Sequence, residues 1–167
     1  PSGMLLIADN LNNRTLVFIS IPTFNNQSAN TVIGQISLSL WYYENQQGDP
    51  DANTHYDSRQ VCVSPGGKAI IADRLNNRVL IFDSIPTSDN ADAAVVVGQL
   101  DPWSNQTNQG EGAPYSDTLN EPSGVFVDSG GKLYITDTGN NRVLIFSSIP
   151  DDDGAPAVAS GQVSVSD

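Results

Sequence analysis

Apolar residues along this chain fall into short clusters separated by polar, glycine-rich or proline-containing segments, and no stretch carries the spacing of an amphipathic helix. The clusters recur in a fixed order. Val61-Cys62-Val63 and Val125-Phe126-Val127 each lead through a Gly-Gly turn to a second cluster, Ala69-Ile70-Ile71-Ala72 or Leu133-Tyr134-Ile135-Thr136. A polar segment then leads to a third, Val79-Leu80-Ile81-Phe82 or Val143-Leu144-Ile145-Phe146. The fourth, Val95-Val96-Val97, is closed by Gly98-Gln99. Short, β-branched and bounded by turn chemistry, these clusters read as strands a, b, c and d. Pro86 and Pro150 lie just past strand c, where a missing N–H removes no ladder bond.

The pattern is a repeat. GMLLIADNLNNRTLVFISIP at 3–22 returns as GKAIIADRLNNRVLIFDSIP at 67–86 and as GKLYITDTGNNRVLIFSSIP at 131–150. Asp9, Asp73 and Asp137 are spaced by 64 residues, and so are Arg14, Arg78 and Arg142. TVIGQ at 31–35 returns as VVVGQ at 95–99 and, one residue early, as ASGQV at 159–163. Four short antiparallel strands per unit, in tandem, predict an all-β fold of β-propeller blades. The strand content is b-c-d, a-b-c-d, a-b-c-d, about 2.75 blades within one propeller segment, 1–167. A partial blade covers 1–35, two further blades cover 57–99 and 121–163, and long d-to-a loops cover 36–56 and 100–120. So few blades do not close a ring, which takes about 4 to 8. Two expectations follow: a homodimer forming a six-blade ring, or a missing remainder of a longer propeller. Met4, the sole methionine, read as the initiating residue favours assembly.

The string G-K-L-Y-I-T-D-T-G-N-N-R-V-L-I-F at 131–146, with E-P-S-G-V-F-V-D at 121–128 upstream, resembles the NHL repeat, and the resemblance runs in three copies over nearly the whole chain. It implies a propeller and is nearly silent about function. The second copy departs from it, with Ser58-Arg59-Gln60 where Pro122-Ser123-Gly124 stands in the third. That departure predicts a looser or a specialised start to the second blade.

The repeated polar residues read as scaffold. Asp73 ends strand b and Arg78 begins strand c, so the carboxylate can face the guanidinium, in one or two hydrogen bonds, while accepting N–H groups of the turn. Asn76 and Asn77 suit left-handed or side-chain-capped turn positions. Asp9–Arg14, Asp73–Arg78 and Asp137–Arg142 are thus expected as turn locks, since a hairpin lock is needed in every blade and an active site is not. The long loops are different. They hold both tryptophans and four of five tyrosines beside Asn, Gln and Asp, the combination that stacks on and hydrogen-bonds to sugars or peptides. Trp41, Tyr42, Tyr43, Trp103, Asn105 and Tyr115 are the candidate ligand-binding residues. The competing reading is that the aromatics pin each loop to its own blade.

Composition narrows the partners. The net charge is −12, with two lysines and five arginines, a balance that disfavours nucleic acid and anionic membrane surfaces. Low lysine with abundant Asp, Asn, Gln and Ser favours an extracellular or periplasmic setting. The lone Cys62 reads as a buried thiol. One histidine, His55, does not make a multi-histidine zinc site, and a Ser-His-Asp triad would need it beside a nucleophile motif that is not present. Asp151-Asp152-Asp153-Gly154 lacks the alternation of a calcium loop. Asp128 is the metal candidate: calcium there would follow lactonase-type propellers, although the aligned residue one blade earlier is Ser64. No other cofactor is expected. Three functional readings stand: a non-enzymatic scaffold binding a protein or glycan through its d-to-a loops, part of a calcium-dependent lactonase- or lyase-like enzyme, or a purely structural self-assembling half-propeller. The first is favoured.

Overall fold

A computed structural model of the chain describes residues 3–40 and 43–151 in full and the backbone of residues 159–164. Eleven strands lie among these residues: β1 (Leu5–Asp9), β2 (Arg14–Phe18), β3 (Thr31–Ile33), β4 (Ser58–Val63), β5 (Ala69–Asp73), β6 (Arg78–Phe82), β7 (Val95–Val97), β8 (Pro122–Val127), β9 (Leu133–Asp137), β10 (Arg142–Phe146) and β11 (Ala159–Ser164). They form three antiparallel meanders, ordered β1-β2-β3, β4-β5-β6-β7 and β8-β9-β10-β11. The helical residues described are single 3-10 turns of three or four residues. The first sheet packs on the second and the second on the third, through β1, β4 and β8. The three sheets do not close a ring.

Burial follows from this stacking. The second sheet is covered on both faces, so β5 and β6 are buried at every position. A strand buried on both sides reads as a continuous apolar run, which Ala69-Ile70-Ile71-Ala72 does. Ile70, Ala72, Val79 and Ile81 meet Val125, Leu133, Ile135 and Leu144 of the third sheet. From the opposite face, Ile71, Leu80 and Phe82 meet Val17 and Ile33 of the first. In β9 only Leu133, Ile135 and Asp137 are buried, and the intervening Tyr134 and Thr136 face away from the second sheet.

The b-to-c turns are alike in all three sheets. Each is a 3-10 turn closed by an asparagine in the left-handed region, Asn13 at φ 51°, Asn77 at φ 53° and Asn141 at φ 52°. Two of these asparagines also join consecutive sheets. Asn13 Oδ1 accepts the Asp57 N–H at 2.7 Å, and Asn77 Oδ1 accepts the Glu121 N–H at 2.8 Å.

The a strands begin earlier than their apolar clusters suggest. β4 and β8 each gain three residues ahead of the cluster, across register shifts at Ser58/Gln60 and Pro122/Gly124 that let Ser58 pair with Asp73 and Pro122 with Asp137. The unusual Ser58-Arg59-Gln60 segment is specialised rather than loose. Ser58 Oγ donates to the Arg14 carbonyl, Arg59 pairs with Asp57 at 2.9 Å, and Gln60 Oε1 accepts the Val125 N–H at 3.2 Å.

His55 is fully buried, in the slot that Leu119 fills one blade later. Gly34 and Gly98, at φ 91° and 97°, back these two side chains so closely that a Cβ on either would stand 2.5 Å from its ring or its methyl group. Neither His55 ring nitrogen has a hydrogen-bond partner among the described residues. Burial, only partly opposed by Asp73 and reinforced by Arg78, lowers the imidazole from 6.5 to about 4.

The ring is therefore neutral in the folded protein at pH values where the unfolded chain has already taken up a proton. Stability from this site is complete above about pH 6.5 and is lost as pH falls towards 4, by an amount on the order of 3 kcal/mol. Urea denaturation across that window should show the loss, and His55→Leu should remove this component while raising stability at pH 7 by about 1 kcal/mol or more. An unchanged acid slope in His55→Leu would contradict the assignment.

Candidate functional site

Each repeated arginine ties the turn it begins to the long loops beside it. Arg78 is fully buried; its Nε donates to Asp73 Oδ2 at 2.7 Å. Its Nη2 donates to the carbonyls of Asp51 and Thr54, in the loop leading into its sheet, at 2.8 and 2.9 Å. Its Nη1 donates to the carbonyl of Pro102, in the loop leaving the sheet, at 2.5 Å. Arg142 repeats the incoming half: Nε to Asp137 at 2.6 Å and Nη2 to the carbonyls of Tyr115 and Thr118. Arg14 repeats the outgoing half: Nε to Asp9 at 2.8 Å and Nη1 to the carbonyls of Leu38 and Leu40.

The carboxylates behave differently from the sequence expectation. Asp73 Oδ1 accepts the Tyr56 N–H and Asp137 Oδ1 the Asn120 N–H, both from the incoming loop; from the turn each accepts no backbone N–H but the side-chain amide of Asn76 or Asn140, at 2.8 Å. The 3-10 turn closes on its own backbone, as in Asn77 N–H to the Arg74 carbonyl at 3.0 Å, so it needs no side-chain cap. Each ion pair is made through Nε, and in Arg78 both Nη1 and Nη2 donate instead to loop carbonyls.

A second polar network, not singled out from the sequence, holds the loops from within. Asn45 and Asn76 exchange reciprocal amide bonds at 3.0 and 2.7 Å, and Asn108 and Asn140 do the same at 3.1 and 2.8 Å. Asn45, Gln46, Asn108 and Gln109 all sit at positive φ. Gln46 and Gln109 bond the carbonyls of Asn53 and Asp117. Gln35 and Gln99 span the b-to-c turn and the loop, bonding the carbonyls of Asn13 and Tyr43, and of Asn77 and Gln106. The available signal was periodicity: Gln35 and Gln99, and Thr54 and Thr118, are 64 apart, and Asn45-Gln46 returns at Asn108-Gln109.

The candidate ligand-binding residues are therefore presented by loops fixed through polar side chains. Trp103 is 65% exposed and Tyr115 56% exposed. The backbone around Trp103 is anchored on both sides: Pro102 by Arg78, Asn105 by Asn77 and Gln106 by Gln99. Trp103 N–H itself donates to Asp101. Asn105 is half-buried with its carbonyl engaged, and Tyr43 is half-buried with its carbonyl held by Gln35. Trp41 and Tyr42 lie outside the described residues, as do Asp152, Asp153 and Gly154. Leu100 is 67% exposed beside Trp103, and a cavity of about 40 Å³ lies between Gln99, Leu100, Ser104, Gln106 and Gln109. Gln99 Oε1 has no partner among the described residues. A cavity of that size has room for water.

Asp128 sits at the opposite end of its sheet, in the a-to-b turn. Its carboxylate accepts the N–H groups of Gly130 and Lys132 at 2.9 Å and the Tyr134 hydroxyl at 3.2 Å. The Lys132 N–H, with the Tyr134 and Gly130 donors, holds this carboxyl below its usual range. Ser64 does the equivalent work one blade earlier, its Oγ accepting the Lys68 N–H at 3.0 Å. Among the described residues no three His, Cys, Asp or Glu side chains are placed to hold a metal ion. Burial pushes the Cys62 thiol up to about 11, which keeps it protonated and unreactive at neutral pH.

The three locks differ in burial, and their energetic weight should follow it. Arg78→Ala leaves Asp73 buried with its cation gone and releases both adjoining loops, so a loss of about 3–5 kcal/mol is expected. Arg14→Ala, at a pair 15% and 24% exposed, should cost about 1–2 kcal/mol. Urea midpoints of the two variants check the order, and equal losses would contradict it.

No curated protein matches the chain. Residues 119–146, which carry the incoming strand, the turn and the lock of the third sheet, match the family model of the NHL repeat. That stretch matches an NHL repeat, the same lock and turn recur 64 and 128 residues earlier, and the three antiparallel sheets are β-propeller-type blades.

Proposed function

We propose that this propeller stack is a non-enzymatic recognition scaffold that binds a protein or glycan at the end of the sheets formed by the d-to-a loops. The observation that carries the reading is Trp103: a large aromatic ring left in solvent on backbone that is fixed on both sides by buried side chains. An exposed indole on a mobile loop would lose much of its stacking energy to ordering, whereas here the order is already present before a partner arrives. Leu100 and Tyr115 are also exposed on that loop, and Ile36 is exposed at the position of Leu100 one blade earlier. The acid-rich surface favours neutral or cationic partners over phosphate-bearing ones.

Catalysis is the weaker reading on two observations. His55 is buried without a hydrogen-bond partner for either ring nitrogen, and the Asp128 carboxylate is occupied by its own hairpin. The interaction reading is tested by screening the wild type and Trp103→Ala against a glycan array and an immobilised peptide library. Binding should fall by at least about tenfold in Trp103→Ala, with the melting temperature unchanged. Ligands retained at full affinity by both Trp103→Ala and Tyr115→Ala would place recognition elsewhere.

A further inference from the structure

The loop that leads into the second sheet and the one that leads into the third are closed by matching hydrogen bonds around unlike side chains. Asn45 N–H donates to the His55 carbonyl and Asn108 N–H to the Leu119 carbonyl, both at 3.0 Å. One residue on, Tyr56 N–H and Asn120 N–H donate to Asp73 and Asp137, both at 2.7 Å. One residue back, the Thr54 carbonyl accepts from Arg78 at 2.9 Å and the Thr118 carbonyl from Arg142 at 2.8 Å. The side chain between these tethers is fully buried in each loop, but it is an imidazole in the first and a hydrocarbon in the second.

A proton added to His55 in place makes both ring nitrogens donors, and neither has a partner among the described residues. The charged groups that act on the ring are Asp73 at the end of β5 and Arg78 at the start of β6, already paired with each other. Both Asp73 oxygens are committed, Oδ1 to Tyr56 and Oδ2 to Asn76 and Arg78. On the β3 side the ring is backed by Gly34, and residues 31–35 there carry no charge. Within the loop, Asp57 is held by Arg59 and Arg74, Asp51 accepts the Ala52 N–H, and Glu44 and Asp49 are exposed. A charged ring therefore meets no free acceptor in this slot, and its route to water carries the tethered residues on either side with it.

We propose that protonation of His55 releases residues 43–57 from the second sheet while residues 107–121, closed over Leu119, stay in place, so that one repeat carries an acid-operated release its copy lacks. The segment contains no β-strand, and its opening breaks no strand pairing. Burial holds the ring at about 4, against 6.5 in water. The open loop takes up a proton that the closed loop excludes, so closure is complete above about pH 6.5 and weakens as pH falls towards 4. Both d-to-a loops belong to the recognition surface proposed above, and acid withdraws one of them while keeping the other. That consequence rests on the earlier reading; the release itself does not.

Amide hydrogen exchange followed by nuclear magnetic resonance tests the release without any partner present. Between about pH 7 and about pH 5, the opening constant read at the Asn45 and Tyr56 N–H groups should rise about twentyfold relative to those of Asn108 and Asn120. The second pair makes the same hydrogen bonds and serves as the internal control. His55→Leu, which gives the slot the side chain its copy already holds, should abolish the rise. His55→Gln, polar without a titrating ring, should exchange faster at both pH values with no rise between them. Equal rises in the two loops would show a general loosening in acid and overturn the proposal. So would a rise that persists in His55→Leu, or a wild type whose two loops keep the same relative exchange at both pH values.

Discussion

A guanidinium taken out of water must find an acceptor for each of its donors, and that requirement organises this structure. Arg78 has no exposed surface, and four of its five N–H donors are met by one carboxylate and three backbone carbonyls drawn from two different loops. Carbonyl groups are fixed in the chain, so satisfying the fork fixes the path of residues 51–54 and of Pro102 together. The loops are long because they must travel from strand d of one sheet to strand a of the next. They are ordered because the b-to-c turn they pass over carries an arginine with unmet hydrogen bonds. A lysine in its place would offer a single point charge and would not span both loops.

The same reasoning separates what was legible in the sequence from what was not. Strand order, the sheet meanders and the Asp–Arg pairing follow from a 64-residue period in which residue types repeat, and types are what a sequence displays. The destination of the remaining donors was not legible, because a backbone carbonyl has no residue signature. Arg78 could be paired with Asp73 by spacing, but nothing in the letters marks Thr54 or Pro102 as its other partners. The amide exchange between Asn45 and Asn76 was hidden for a related reason: asparagine is common in loops, and only the recurrence at Asn108 and Asn140 distinguishes it. The register shifts ahead of β4 and β8 were missed because polar residues such as Arg59 and Ser123 end an apolar pattern without ending a ladder.

Single-letter departures between repeats carry as much information as the matches. Ala69-Ile70-Ile71-Ala72 and Leu133-Tyr134-Ile135-Thr136 occupy the same strand, yet the first is apolar throughout and the second alternates. Among the described residues the second sheet is covered on both faces and the third on one, and the two strands differ accordingly. His55 against Leu119 is the converse case. The slot is the same apolar slot, backed by the same glycine, and the substitution places a titratable ring where its neighbour has a hydrocarbon. Such a replacement lowers stability in acid without altering the fold, because the ring enters neutral and fits.

Rigidity in the loops bears directly on the recognition proposed for them. Ordering a loop on binding offsets part of the interaction energy, about 0.5–1.5 kcal/mol for each rotamer-rich side chain immobilised. In this protein the loop backbone is ordered at folding, by groups buried beneath it, and the aromatic rings on its outer side remain in water. The two functions are assigned to different residues: Arg78, Gln99 and Asn108 face inward and hold, while Trp103 and Tyr115 face outward. Exposed positions can then vary without disturbing the blade, and the inward residues can stay constant from one repeat to the next. A scaffold that separates holding from display in this way can change its partner by substitutions on the outer side of the loop alone.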